Sequence, residues 1–197
     1  NILSSSDLSR NVRRGIVKAL KDYSDVNLLL DQLDEADQGM YNETVDSLLV
    51  CARAESFDEN RLEVISGEIH KIARKLYAFN VCKKLLPENN KQLLMVDHLN
   101  NEIQNTLPSL LKLGVMSKPN TPIETYIQII KTGDPAKLPF LLEFFENIFN
   151  KEQRSIINPL IEEISLEEKT EIGKTHFKDL PNNIDEELIT LLHSANK

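Results

Sequence analysis

His98 and Glu102 lie four residues apart, a spacing that places both side chains on one face of a helix. Imidazole and carboxylate groups bind zinc and other divalent cations, so this pair can supply two ligands to a metal. The other histidines, His70, His176 and His193, form no further pair at helical spacing. Because the complete ligand set of a site is not visible, we predict no metal site and no other cofactor.

Two cysteines, Cys51 and Cys82, are the candidates for thiol chemistry. A nucleophilic cysteine needs a lowered pKa, supplied by a neighbouring base or by a helix N-terminus. Cys51 falls late in its expected helix, where the helix dipole disfavours a thiolate, so we predict buried thiols without a catalytic role. Glycine-rich phosphate loops, G-x-S-x-G, H-E-x-x-H and EF-hand motifs are absent from the sequence. The sequence therefore names no catalytic residue and favours a non-enzymatic chain.

The first expected helix has a basic face. Arg10, Arg14, Lys18 and Lys21 recur at helical spacing, and Arg13 lies alongside them. A helix of this kind can lie on anionic lipid or dock on an acidic partner. Its apolar face is narrow and lacks Trp and Phe, so we favour packing into a helix bundle over contact with a membrane.

An aromatic segment is a second candidate for a functional surface. Four of the seven phenylalanines fall within residues 138–149. Leu141 and Phe145 belong to a wide apolar face of the expected helix, and we assign them to the core. Phe140 and Phe144, four residues apart, point away from the middle of that face. Either this helix is buried all round, or it presents an aromatic pair to a partner. Phe140 and Phe144 are therefore our candidate partner-binding residues.

The elements that position these residues are helices. Apolar residues recur at three- and four-residue spacing almost throughout, and the chain has only 6 glycines and no alternating β-branched runs. We predict an all-α fold, an irregular multi-helix bundle or short helical solenoid of about eight to ten helices in two lobes. The breaker-rich run 117–122 predicts a boundary near Pro119, between an N-terminal lobe (1–116) and a C-terminal lobe (117–197). One continuous domain is the alternative.

Caps and breakers predict where individual helices begin and end. Asp25 is an expected N-cap, and either Ser56 or Asp58 is expected to cap the longest helix. Thr121 with Glu124 has the pattern of a capping box. Pro159 is expected to kink or break its helix. The second helix is expected to end near Gln38 and Gly39. A later helix is expected over 89–106, with Leu93 and Leu94 buried, and a separate short helical turn is expected before Gly114. The last helix is expected over 185–195.

Composition and charge exclude several classes of protein. The net charge of −8 argues against nonspecific nucleic-acid binding. No apolar run approaches the roughly 18 residues of a transmembrane helix. Residues 25–70 carry twelve acidic and two basic side chains, whereas residues 71–120 carry three acidic and eight basic ones. Neighbouring helices can therefore pair opposite charges while leaving charged faces for partners.

The leading interpretation is a non-enzymatic protein-binding or scaffolding region of a larger protein. The chain starts at Asn1 rather than Met, and its composition is of the kind found in secreted bacterial effectors. The expected partner is another protein, not nucleic acid, and the expected location is cytoplasmic (the host cytoplasm for an effector). One alternative is an enzyme or regulator acting on a nucleotide-binding switch protein. Another is membrane association through the basic first helix.

Overall fold

A computed structural model describes residues 9–23, 25–33, 38–86 and 93–181, without the side chains of residues 10, 13, 20–23 and 135. Over this part of the chain the fold is all-α, as predicted, with nine α-helices in a multi-helix arrangement. The helix expected over 185–195 lies outside the described residues. The helices are α1 (Arg10–Tyr23), α2 (Val26–Gln32), α3 (Gln38–Ala54), α4 (Glu59–Leu85), α5 (Leu93–Gly114), α6 (Ile123–Thr132), α7 (Leu138–Ile148), α8 (Lys151–Ile161) and α9 (Leu166–His176).

The longest helix, α4, is the centre of the fold. Asp58 caps it as predicted, because its carboxylate accepts a hydrogen bond from the Arg61 N–H. Every residue from 76 to 82 is buried, so this part of α4 is covered on all its faces. The helices packed against α4 include α5, α8 and α9. A helix buried all round can only persist where neighbours supply apolar surface in every direction.

Tyr77 fixes the distance at which α8 and α9 pack on α4. Its hydroxyl donates a hydrogen bond of 2.9 Å to the Ile156 carbonyl oxygen of α8, and its ring lies against Gly173 of α9. A Cβ atom at Gly173 would lie only 2.6 Å from Tyr77 Cδ1. Burial raises the pKa of the Tyr77 phenol, so the hydroxyl keeps its proton and remains a donor.

Ion pairs cross the predicted boundary at Pro119, in addition to the contacts of Tyr77 with α8 and α9. Arg74 of α4 donates to Asp179 Oδ2, which lies beyond α9, at 2.7 Å. Arg53 of α3 donates to the Pro119 carbonyl oxygen at 2.9 Å and to Glu124 of α6 at 3.0 Å. The division into lobes stays a prediction, and these ion pairs join its two sides.

Several expected helix boundaries are wrong. Gln38 and Gly39 begin α3 rather than ending α2. Pro159 does not break α8, and the kink expected there as the alternative stays a prediction. Helix α5 continues through Pro108 to Gly114 because the residues after the proline are buried, and their packing outweighs one lost backbone hydrogen bond. The expected capping box is also absent, since the Thr121 hydroxyl donates to the Lys118 carbonyl oxygen and Glu124 pairs with Arg53.

The expected burial of Leu93 and Leu94 is wrong as well. Leu93 is 60% exposed and Leu94 is 80% exposed, although both lie on an apolar stretch of α5. Helical spacing places residues on a face, but it does not determine which part of a long helix has a neighbour to cover that face. The N-terminal end of α5 leaves these leucines open to solvent.

The close approach at Gly173 gives a test of the fold. Gly173→Ala should lower the melting temperature because the new methyl group overlaps the Tyr77 ring, at a cost of roughly 1–3 kcal/mol that exceeds the gain in helix propensity. Gly67→Ala on α4 is the matched control, since a Cβ there meets nothing within 4 Å and should stabilise the helix. Thermal unfolding of both variants measures the difference. A Gly173→Ala protein as stable as Gly67→Ala would show that α9 does not pack on Tyr77.

Candidate protein-binding surface

Two buried phenylalanines hold α7 against the rest of the fold. Phe145 is fully buried, and its ring centroid lies 4.9 Å from that of Phe149, the residue that caps the helix C-terminus. The Phe149 ring in turn lies on Gly114, where a Cβ atom would come within 2.9 Å of Phe149 Cζ. Leu141 is buried beside them, so one face of α7 is fixed. The core assignment of Leu141 and Phe145 is confirmed.

The two candidate aromatic residues have different surroundings. Phe144 is half-buried and stacks on Tyr126 of α6, with ring centroids 3.5 Å apart and ring planes 15° apart. Phe140, one turn earlier on α7, is 69% exposed. Residues four apart share a helix face, so these three rings follow one another along the α6–α7 seam. We call Tyr126, Phe144 and Phe140 the aromatic strip.

Tyr126 is the member of the aromatic strip that sequence reasoning missed. In the sequence it is one of several apolar residues of α6, together with Ile127, Ile129 and Ile130. The stack with Phe144 depends on how α6 and α7 are aligned in the fold, which spacing within one helix does not contain. The clustering of phenylalanines in residues 138–149 was a signal for the strip, but not for its third ring.

The surface around the aromatic strip is acidic. Glu143, which helical geometry places on the same side of α7 as Phe140, is exposed and forms no ion pair with another described residue. Lys137, at the start of α7, is already paired with Asp134 at 3.1 Å. A segment that carries Lys or Arg beside an apolar side chain would therefore find both kinds of contact here.

A shallow apolar groove of about 60 Å³ opens on the same seam between α6 and α7. It is walled by aliphatic side chains of α6, α7 and α8, including Ile130, Leu138 and Ile161. Its polar lining residues include Asp134 and Glu163, two further carboxylates. The space is that of about two water molecules, so it admits part of one aliphatic side chain rather than a cofactor.

The other candidate residues do not form a site with one another. His98 is exposed, and Glu102 is half-buried. Burial lowers the pKa of Lys75, and the charge of Glu102 raises it in part. Among the described residues no group of three His, Cys, Asp or Glu side chains could hold a metal. Cys51 and Cys82 are buried, and burial raises the pKa of the Cys51 thiol, which disfavours the nucleophilic thiolate.

Two residues of the basic face of α1 form ion pairs within the fold. Arg14 lies 2.6 Å and Lys18 lies 3.5 Å from the Glu43 carboxylate of α3. The hydrogen bond from Arg14 lowers the pKa of Glu43, and the charge of Lys18 lowers it further against the effect of burial. The side chains of Arg10, Arg13 and Lys21 lie outside the described part of the chain. No helix among the described residues is long and apolar enough to cross a bilayer.

The Glu43 ion pairs predict a pH-dependent contribution to stability. Glu43→Gln should lower the free energy of unfolding at neutral pH by about 1 kcal/mol, because both pairs lose their charge. The folded-state pKa of Glu43 lies below its unfolded value, so this contribution is present above the ordinary carboxyl pKa. It disappears as pH falls through the lowered value. Urea unfolding at neutral and acidic pH tests this, with the exposed Glu63→Gln as control; an equal loss at acidic pH would contradict it.

Comparisons with known proteins found no match for this chain. No protein-family model, no curated protein and no solved structure matches the chain. The residues and their arrangement are therefore what a functional proposal has to rest on.

Proposed function

We propose that this chain is a non-enzymatic protein-binding module that recognises a partner through the aromatic strip. The observation that carries the proposal is the exposure of Phe140, 69% of whose surface meets solvent on a helix whose other phenylalanines are packed. Large aromatic side chains supply much of the binding energy at protein interfaces, and their exposure costs a monomer solubility.

The support beneath Phe140 is rigid. Phe145 and Phe149 fix α7 on the core, and the stack between Phe144 and Tyr126 fixes the middle of the strip. A partner that contacts Phe140 therefore meets a preformed surface and loses little affinity to ordering of the helix. The exposed Glu143 favours a partner segment that carries Lys or Arg beside an apolar anchor.

The wider proposal is that the chain serves as a scaffolding region of a larger cytoplasmic protein, such as a secreted bacterial effector. Cysteine usage supports a reducing compartment, since Cys51 and Cys82 are both buried in a fold held by helix packing. The effector assignment rests on composition.

The paired effects of Phe140→Ala and Phe145→Ala test the proposal. Phe140→Ala should leave the melting temperature nearly unchanged. It should lower the affinity for the partner on the order of thirtyfold, as expected for the loss of about 2 kcal/mol at an interface centre. Phe145→Ala should instead destabilise the fold by roughly 3–5 kcal/mol, because it leaves a cavity in the core.

A photo-crosslinking amino acid at position 140 identifies the partner directly in cells that express the parent protein. The same amino acid at position 64 is the control, because Val64 is 49% exposed on α4, away from the aromatic strip. We expect a protein that is captured from position 140, is not captured from position 64, and binds Phe140→Ala less tightly. Equal capture from both positions, or affinity unchanged by Phe140→Ala, would show that the strip is not the binding surface.

A further inference from the structure

A second groove lies between α5 and α6, with a volume of about 80 Å³. Its walls are aliphatic residues of the two helices: Ile103, Leu107, Leu111, Ile127 and Ile130. An apolar cavity of about 150 Å³ holds one benzene molecule, and drug-sized ligands need about 300–1,000 Å³. This groove therefore takes one aliphatic side chain. We call it the α5–α6 groove.

Pro108 leaves a backbone acceptor at the edge of the α5–α6 groove. Proline has no amide proton, so Pro108 cannot donate the hydrogen bond that the Gln104 carbonyl oxygen accepts in a regular helix. Gln104 and Pro108 both line the groove, and Gln104 is exposed. The Gln104 carbonyl oxygen is therefore placed to accept a hydrogen bond from an N–H group of a molecule that lies in the groove.

Lys131 adds a positive charge to the same edge. Among the described residues that line the groove, it is the one with a charged side chain. Lys131 is exposed and forms no ion pair with another described residue. An external carboxylate can therefore reach its ammonium group without displacing an internal partner.

The acidic residues that flank the groove in the sequence interact with lysines of the fold. Asp134 pairs with Lys137 at 3.1 Å, and the charge of half-buried Glu102 acts on Lys75 of α4. Residues 103–123, which include the α5 wall of the groove, contain no Asp or Glu. In a chain with a net charge of −8, this surface is one that complements a negatively charged partner.

We propose that the α5–α6 groove binds an acidic peptide segment of a partner protein, one that carries an aliphatic residue with Asp or Glu within two positions of it. The aliphatic side chain fills the groove, a backbone N–H of the segment donates to the Gln104 carbonyl oxygen, and the carboxylate pairs with Lys131. In an extended segment, residues two positions apart point to the same face, so one segment supplies all three groups. A fatty acid has a carboxylate but no N–H donor, and its chain is too long for the groove.

This site is separate from the aromatic strip. Exposed Glu143 beside the strip favours a basic partner, whereas Lys131 favours an acidic one. The inference is therefore independent of the protein-binding function proposed above, and either can fail without the other.

A phage-displayed library of random dodecapeptides, selected on the immobilised full chain, supplies the probes. Selected peptides are synthesised, and their affinities are measured by calorimetry. We expect peptides that carry Leu, Ile, Val or Met with Asp or Glu within two positions. Replacement of the aliphatic residue by Ser should lower the affinity about tenfold or more, because the groove is then left unfilled.

A double-mutant cycle tests the contact with Lys131. Lys131→Gln should lower the affinity of these peptides about fivefold. Neutralising the acidic residue of the peptide should lower its affinity for wild type but not for Lys131→Gln, because the pair is already broken. Lys151→Gln removes another exposed lysine and should bind like wild type, as should Phe140→Ala, which changes the aromatic strip.

Pro108→Ala tests the backbone acceptor, because alanine supplies the amide proton that the Gln104 carbonyl oxygen lacks. This variant should raise the melting temperature yet lower the peptide affinity about three- to tenfold. Pro159→Ala is the matched control, since it replaces the proline inside α8 and should leave the affinity unchanged. If Pro108→Ala lowers the melting temperature, the cycle at exposed Lys131 decides.

Three results would overturn the proposal. One is selection that yields no peptide, or only Lys- or Arg-containing peptides whose binding Phe140→Ala abolishes; the latter would support the aromatic strip and not the groove. Another is a set of acidic peptides that bind Lys131→Gln and Pro108→Ala as tightly as wild type. The third is a wild-type dimer in light scattering that Lys131→Gln converts to a monomer, which would make the groove a contact between two copies of the chain.

Discussion

The complete burial of the middle of α4 is the constraint on which the rest of the structure depends. Residues 76–82 have no exposed face, so neighbouring helices must surround this segment. Tyr77 sets how closely two of them approach, through its hydrogen bond to the Ile156 carbonyl oxygen and its contact with Gly173. Helix α7 packs on α8 in turn, and Phe149 at its C-terminal end lies on Gly114 of α5.

The two exposed apolar surfaces arise from this arrangement. Leu141 and Phe145 of α7 are buried in the core, as is Phe149 at its C-cap, whereas Phe140 is exposed. Helix α5 is long, and its N-terminal end leaves Leu93 and Leu94 uncovered. Glu143 is exposed next to Phe144 in the sequence, which is why a basic protein segment is the partner proposed for the aromatic strip.

Local sequence signals predicted well which segments form helices. They predicted less well which residues of those helices pack on other helices and which are exposed. The all-helical fold, the N-caps at Asp25 and Asp58, and the buried face of α7 depend on residues close in sequence, and the structure confirms them. The failures at Glu124, Tyr126 and Leu93 depend on tertiary contacts. Glu124 fits a capping box, but Arg53, distant in sequence, competes for its carboxylate. The stack of Tyr126 on Phe144 and the exposure of Leu93 are likewise decided by which helix lies next to which.

Amide hydrogen exchange tests the central role of α4 most directly. If its buried middle is the element that the other helices depend on, amides of residues 76–82 should exchange only through global unfolding, and their protection should equal the free energy of unfolding measured with urea. Gly173→Ala should lower that protection by the same amount as it lowers global stability. Exchange of these amides through a local opening of lower free energy than global unfolding, while α3 stays protected, would contradict the account.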